Sequence, residues 1–226
     1  MTSTQTQPDG EFIPPAPDYV PAQPRRRAIR EHSVWDPRSA PGTYFLLAIN
    51  IAVYLWMIAH GVNPRDPSER ALIHYGANHT WLVLHGQWYR LLTGMMFQDG
   101  RSSGLISNLL LLAVFGTVAE RVFGRRRWLI LYFGCGWFGQ FMSYVWLNPV
   151  GAGNSMCVAG LIGGLATMVL VASHRYGVTL PVQLRILASA VPVLAVVDTI
   201  LHDNHGLPCL LGMALGFLLL PHPERS

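Results

Sequence analysis

The sequence predicts an all-α membrane protein with six transmembrane helices, and three observations carry that prediction. The 226 residues are 51% hydrophobic and only 12% charged, whereas soluble domains carry about 25% charged residues. Six apolar segments are each about long enough to cross roughly 30 Å of hydrocarbon. Arginines cluster between these segments rather than inside them. Membrane topology therefore explains the net charge of +4, and no nucleic-acid partner is expected.

The elements follow in order from the N-terminus. Residues 1–40 are rich in Pro, Gln, Thr and Arg without apolar periodicity, which predicts a disordered cytoplasmic tail. A membrane domain is predicted over 41–221, and a short cytoplasmic tail over 222–226. The six spans of the domain are predicted at roughly 43–60, 105–123, 128–147, 155–173, 180–200 and 205–221.

The arginine clusters predict the orientation of the spans, because cytoplasmic loops carry an excess of positive charge. The clusters precede the first span, join spans two and three, and surround the connection of spans four and five: Arg25, Arg26, Arg27 and Arg30; Arg121, Arg125, Arg126 and Arg127; Arg175 and Arg185. Both termini are then cytoplasmic, and spans four and six run parallel. All 16 basic residues are Arg, which favours a GC-rich bacterial genome and a multi-pass location in the cell membrane.

The loop between the first two spans is long and carries Trp81, Trp88 and Tyr89. Long loops in compact domains are often functional. Trp and Tyr prefer the membrane interface. The loop is therefore predicted to lie partly in the outer leaflet.

Ser155 and His205 open the fourth and sixth spans, and small residues follow each at helical intervals. These are Ala159 and Gly163 after the serine, and Pro208, Gly212 and Gly216 after the histidine. Small residues on one helix face allow close backbone approach in a bilayer. Parallel packing of the two faces would bring the hydroxyl and the imidazole to one depth. Ionisable groups within a membrane are costly, so this pairing predicts a functional site.

Each of these polar residues also has a purely structural interpretation. Ser155 could be a helix N-cap, and His205 an interfacial histidine. Asn108, at the start of span two, could donate to an oxyanion or bridge two helices. Gly153 and Asn154 precede the serine, and a helix N-terminus there offers backbone N–H groups to an oxyanion.

The order and spacing of several motifs resemble the rhomboid family of intramembrane serine proteases. The motifs are Gly86-Gln87-Trp88-Tyr89-Arg90 in the first loop, Asn108, Glu120 and Gly124 in and after span two, Gly153-Asn154-Ser155 and Gly163, and His205, Gly212 and Gly216. The resemblance covers roughly residues 43–221 and implies a six-transmembrane-helix rhomboid-like bundle.

The resemblance also implies an activity, that of a serine-type endopeptidase that cleaves transmembrane segments. Ser155 would be the nucleophile and His205 the general base, with Asn108 and the Ser155 N–H forming the oxyanion hole. Gly153, Asn154, Gly163 and Gly212 would support this dyad. The implied partners are transmembrane protein substrates and the lipid bilayer, with no metal or cofactor. The first loop and span five would act as gates.

The chain departs from the family pattern around the oxyanion hole. Met156 follows the serine where the family has Gly, and Gly104 stands where a histidine usually precedes the asparagine. The further departures are Gln98, Ala159 and Pro208. The hole is expected to be weaker, or completed by Ser103 or water. The alternative prediction is a rhomboid-like pseudoprotease that binds transmembrane helices without cleavage.

The remaining candidates have simpler interpretations. Asp198 and Asp203 flank the last loop, and either could orient His205, although the resemblance implies no essential acid. His202 is a fallback base. Glu120 is predicted to form an ion-pair cluster with the following arginines. The three cysteines, Cys135, Cys157 and Cys209, are expected to be free thiols.

Overall fold

The computed structural model describes residues 37–97, 102–145, 150–177 and 179–221, which form mainly helices within one compact unit. The elements in chain order are α1 (Pro41–Ala59), α2 (Glu69–Tyr75), β1 (Asn78–His79), α3 (Thr80–Leu84), α4 (Arg90–Thr93), α5 (Ser102–Leu111), a π-helical turn (Leu112–Gly116), α6 (Thr117–Phe123), α7 (Arg125–Val145), β2 (Val150–Gly151), α8 (Ser155–Tyr176), α9 (Val182–Ile200) and α10 (Gly206–Leu219). The predicted tails lie outside the described residues, apart from 37–40, where Pro37–Ser39 form a 3₁₀ turn.

Four helical segments of the described chain are long and apolar enough to cross a membrane. They are Pro41–Ala59, Ser102–Phe123, Ser155–Ala172 and Val182–Ile200. Helix α7 has 21 residues but starts with three arginines, and α10 is apolar but has only 14 residues. The helices begin and end within a few residues of the predicted bounds. The count of six spans remains a prediction.

Helix α7 packs against α8, which contacts most of the other long helices. Its Trp128, Leu131 and Tyr132 are fully buried, together with Cys157 and Leu161 of α8. Helix α9 is peripheral by contrast. Only 11% of its apolar stretch is buried, against 56% for α8. The main core cluster therefore lies largely between α7 and α8, and α9 is loosely packed against the bundle.

The first loop folds into three short helices that are held together by a buried arginine. The Arg90 guanidinium donates to the carbonyl oxygens of Ile73 and Ala77, at 2.7 and 2.9 Å, and to the side chain of Gln87. Strand β1 of this loop pairs antiparallel with β2, which lies shortly before Ser155. The first loop is thereby attached to the segment that leads into α8.

Glu120 was predicted to join an ion-pair cluster, and its main contacts are instead with the start of α1. Its carboxylate accepts hydrogen bonds from the backbone N–H groups of Gly42 and Thr43, at 3.0 and 2.7 Å, and from the Thr43 hydroxyl. Arg125 lies 3.8 Å away on the exposed side. A carboxylate beside the unpaired N–H groups of a helix N-terminus is favourable, so Glu120 fixes α1 to α6.

Candidate active site

Helices α8 and α10 run parallel and touch through their backbones. A Cβ added to Gly163 would collide with the Cys209 carbonyl oxygen, and one added to Gly212 would collide with that of Gly160. One added to Gly216 would lie 2.6 Å from the Cα of Gly164. The glycines that the sequence analysis placed on facing helices therefore lie at this contact, because any side chain there would separate the helices.

The turn before α8 is set by Gly153. Its φ of +129° lies in the region that glycine adopts freely and other residues rarely do. Its N–H donates to the carbonyl of Gly94 at 2.8 Å, which joins the turn to the end of α4. Asn154 is fully buried beside it. These two residues fix the point at which α8 begins, and Ser155 is its first residue.

Ser155 and His205 lie within hydrogen-bond distance. The Ser155 Oγ is 2.8 Å from the His205 Nε2. The other ring nitrogen, Nδ1, is 2.5 Å from Oδ1 of Asp203. The same Asp203 oxygen accepts the backbone N–H of His205 at 2.9 Å. Serine, histidine and aspartate thus form a continuous chain of polar contacts.

Asp203 is ionised at neutral pH in this arrangement. Partial burial raises the pKa of its carboxyl, but the hydrogen bonds from the His205 backbone and ring lower it further, so the pKa lies below the usual 3.8. The side chains of His205 and Asp203 are 43% and 49% exposed. The carboxylate is therefore only partly screened by solvent while it contacts the imidazole.

Ser155 and His205 open into a cavity of about 500 Å³ between α5, α8, α9 and α10. Its polar groups come from four elements, and its apolar wall is largely contributed by α8 and α9. The lining residues are Gly104, Ser107, Asn108, Leu111, Ala152, Ser155, Val158, Ala159, Ile162, Val191, Leu194, Ala195, Asp198, His205 and Cys209. A cavity that combines apolar walls with a few convergent polar groups is the usual form of a substrate site.

Three of the predicted site residues, Ser155, His205 and Asn108, line this cavity, and Gly153, Asn154, Gly163 and Gly212 do not. Asn108 contributes to the lining from α5. Ser103 is exposed and is not among the lining residues, whereas Ser107 is. Gln98 lies outside the described residues.

Three departures from the family pattern lie at the cavity or in the packing behind it. Ala159 lines the cavity with its methyl group, one helical turn after Ser155. Met156 and Pro208 are buried away from it, and both face Gly139 of α7. Met156 therefore packs into the bundle and does not block the serine.

The other titratable groups do not form an alternative centre within the described residues. The three cysteines are buried free thiols. The described part of the chain holds no group of three or more His, Cys, Asp or Glu side chains that could bind a metal ion. His202, the fallback base, is not among the cavity-lining residues, whereas Asp198 is.

Comparison with known proteins identifies the family of this chain. A rhomboid domain model matches residues 85–222, which is more than half of the chain. The chain is 30% identical to Rhomboid protease GluP of Bacillus subtilis over 57% of this chain and 24% of that protein. It is 36% identical to Rhomboid protease AarA of Providencia stuartii over 46% of this chain and 36% of that protein. It is 30% identical to RHOMBOID-like protein 7 of Arabidopsis thaliana over 70% of this chain and 51% of that protein.

The matched segment spans between about a quarter and a half of the length of these relatives. The domain match and the apolar helices confirm the predicted helical membrane fold and the predicted family. The chain belongs to the rhomboid family and is a multi-pass membrane protein.

Proposed function

We propose that the protein is an intramembrane serine endopeptidase that cleaves transmembrane segments of membrane proteins. The observation that carries this proposal is the 2.8 Å contact between Ser155 Oγ and His205 Nε2 at the wall of the cavity. A serine hydroxyl becomes an effective nucleophile when a base lies within about 2.6–3.2 Å. Two relatives, GluP and AarA, are named rhomboid proteases, which supports the same activity here.

The reaction would proceed by acyl transfer. Ser155 Oγ attacks the carbonyl carbon of the scissile peptide while its proton passes to His205 Nε2. The oxyanion that forms accepts hydrogen bonds from the Ser155 backbone N–H and the Asn108 side-chain amide. His205 then gives the proton to the departing amine, which leaves an acyl–Ser155 ester. Water attacks this ester, His205 takes and returns the proton, and the new carboxyl end is released.

Access to the site would come from both the lipid and the outer surface. Helices α5 and α9 both contribute to the walls of the cavity, and α9 is the least buried of the long apolar helices among the described residues. A transmembrane segment could therefore enter beside α9, with α9 and the first loop as gates. Both termini would be cytoplasmic in the cell membrane, so the helix starts that carry Ser155 and His205 would face the outer side, where water is available.

A rhomboid-like pseudoprotease is the second candidate, and the oxyanion side of the cavity favours it. Gly104 lines the cavity without any side chain at the place where a histidine donor is usual. Loss of one oxyanion donor typically costs about a hundred- to a thousandfold in rate. A protein with such a loss could still bind transmembrane helices in the cavity.

Labelling with a fluorophosphonate serine probe separates the two candidates. Detergent-solubilised wild type, Ser155→Ala and His205→Ala are compared, and Ser189→Ala is the matched control because its hydroxyl is exposed and bonds to the Arg185 carbonyl. The endopeptidase proposal expects labelling of wild type and Ser189→Ala, and loss of labelling in the other two. Folded wild type that stays unlabelled would favour the pseudoprotease.

A further inference from the structure

We propose that Asp203 is a positioning residue that holds the His205 ring with Nε2 facing Ser155. The inference rests on the proposed function, in which His205 is the general base. It goes beyond the Ser–His pair that the family resemblance implies, because it adds an acid to the site. Two contacts on a single carboxylate oxygen carry it.

The Asp203 carboxylate contacts both the ring and the backbone of His205. Asp203 Oδ1 lies 2.5 Å from Nδ1 of His205 and accepts the backbone N–H of the same residue at 2.9 Å. A carboxylate can only accept, so the contact requires a proton on Nδ1. A neutral imidazole carries one proton, which leaves the Nε2 lone pair directed at the Ser155 hydroxyl. The carboxylate thereby selects the tautomer that a general base needs.

The turn between α9 and α10 brings Asp203 next to His205. Helix α9 ends at Ile200, and His202 then adopts a φ of +59°, which is uncommon for a residue other than glycine. The Asp203 N–H donates to the Asp198 carbonyl at 2.8 Å. This turn points Asp203 toward the start of α10. The acid is thus held from both sides, by the end of α9 and by the N–H of His205.

Other polar and titratable side chains also lie near the His205 ring. Asp198 of α9 and Cys209 of α10 line the same cavity, and His202 lies on the same loop. The polar residues on α5 and α8 are the neutral Ser107, Asn108 and Ser155. Among the residues that the structure describes, Asp203 is the carboxylate recorded in contact with Nδ1. Asp198 is therefore the carboxylate with which Asp203 is compared.

The expected effect is moderate because both side chains are about half exposed. A buried triad acid is worth about 10⁴-fold in rate when it is replaced by Asn, but exposed charge pairs contribute little. We expect Asp203→Ala to lower the second-order rate constant of fluorophosphonate labelling about tenfold at neutral pH. His205 gains a proton as Ser155 attacks, and the Asp203 carboxylate stabilises that positive charge.

The pH dependence of labelling separates positioning from a structural role. The rate constant is measured from pH 5 to 9 for wild type, Asp203→Asn, Asp203→Ala and Asp198→Asn, with Asp66→Asn as an exposed loop control. Loss of the Asp203 charge destabilises the protonated imidazole. The fall of the labelling rate constant on the acidic side of the pH profile should therefore occur at lower pH in both Asp203 variants. An acidic side of the pH profile that does not move in the Asp203 variants, or that moves equally in Asp198→Asn, would overturn the assignment of Asp203.

A second readout does not depend on activity. Nitrogen-15 NMR of histidine-labelled protein in detergent reports the tautomer of each ring, and His205→Gln identifies the His205 signals. We expect the Nδ1–H form in wild type and in Ser155→Ala, and a mixture containing Nε2–H in Asp203→Ala. The same tautomer mixture with and without Asp203 would overturn the inference. Failure of serine labelling would refute the proposed function instead, and the NMR result would still decide the role of Asp203.

Discussion

Replacement of Gly163 by alanine tests whether the backbone contact of α8 and α10 sets the distance between Ser155 and His205. The added Cβ would collide with the Cys209 carbonyl oxygen and would lie 3.0 Å from the carbonyl carbon of that residue and from the Met213 nitrogen. Non-bonded carbon atoms prefer about 3.5–4.0 Å. Relief of all three contacts therefore needs the helices to separate by about 1 Å.

That separation would break the serine–histidine contact. The distance between Oγ and Nε2 would grow from 2.8 Å to about 3.8 Å, beyond the roughly 3.2 Å over which a base can accept a proton. A misplacement of about 1 Å can cost about 10²-fold in rate. Overpacking of a filled interface also costs about 1–3 kcal/mol of folding free energy. We expect both losses in Gly163→Ala.

The assay is the rate of fluorophosphonate labelling together with the midpoint of thermal unfolding in detergent. Gly134→Ala is the matched control, because its Cβ would meet only the Leu215 Cδ1 within 4 Å, at 3.9 Å. The control should label at the wild-type rate and unfold no earlier. Wild-type labelling and stability in Gly163→Ala, or equal losses in Gly134→Ala, would refute the reasoning.

Three further predictions concern stability. Glu120→Gln should lower the free energy of unfolding by about 1–3 kcal/mol, because the glutamine amide has only one acceptor oxygen and its NH2 group would face a donor of Gly42 or Thr43. Denaturant titration in mixed micelles measures this. Arg90→Lys should speed proteolytic cleavage within the first loop, because an ammonium group cannot make all the hydrogen bonds that the planar guanidinium donates to two backbone carbonyls and to Gln87. Limited trypsin digestion followed by mass spectrometry measures this. The lowered pKa of Asp203 implies a contribution to stability that is present above its usual pKa of 3.8 and is lost as pH falls through the folded-state value. The unfolding midpoints of wild type and Asp203→Asn should therefore converge as the pH is lowered below 3.8.

Exposed residues of the same types serve as controls for these three variants. Glu69→Gln, Arg70→Lys and Asp66→Asn each alter an exposed side chain and should behave as wild type. Unchanged unfolding of Glu120→Gln would show that the cap on α1 contributes nothing measurable. Digestion of Arg90→Lys at the wild-type rate would mean that the first loop is held by other contacts. A difference between the unfolding midpoints of wild type and Asp203→Asn that stays constant as the pH is lowered below 3.8 would contradict the assigned direction of the Asp203 pKa.

The sequence predicted the contact between α8 and α10 because its signal is local and periodic. Glycines at intervals of four residues define a helix face, and arginine placement makes the two helices parallel. The spacing of Ser155 and His205 relative to Gly163 and Gly212 then indicates where the side chains meet. None of these steps needs knowledge of the rest of the fold.

The contacts that the sequence left open depend on single turns or on distant partners. Asp203 faces His205 because His202 adopts an uncommon positive φ, which no pattern of residue types announces. Arg90 was visible as part of a motif, but its acceptors are carbonyl groups that any sequence would supply. The π-helical turn at Leu112–Gly116 has no Pro to mark it. The count of six spans also could not be fixed, since α7 begins with charged residues and α10 is short.

The contact of α8 and α10 through their backbones also determines where this protein can accept mutations. At Gly163, Gly212 and Gly216 every substitution adds atoms to a space that the facing main chain already fills. Along α9 most side chains point away from the protein. Exchange among the apolar residues that do not line the cavity therefore changes little except the surface offered to lipid. A saturation mutagenesis map should therefore show near-complete intolerance at these glycines and broad tolerance at the exposed positions of α9 that do not line the cavity. Variation that adapts the protein to different membranes or substrates can accumulate on α9, while the helix pair that carries Ser155 and His205 stays fixed.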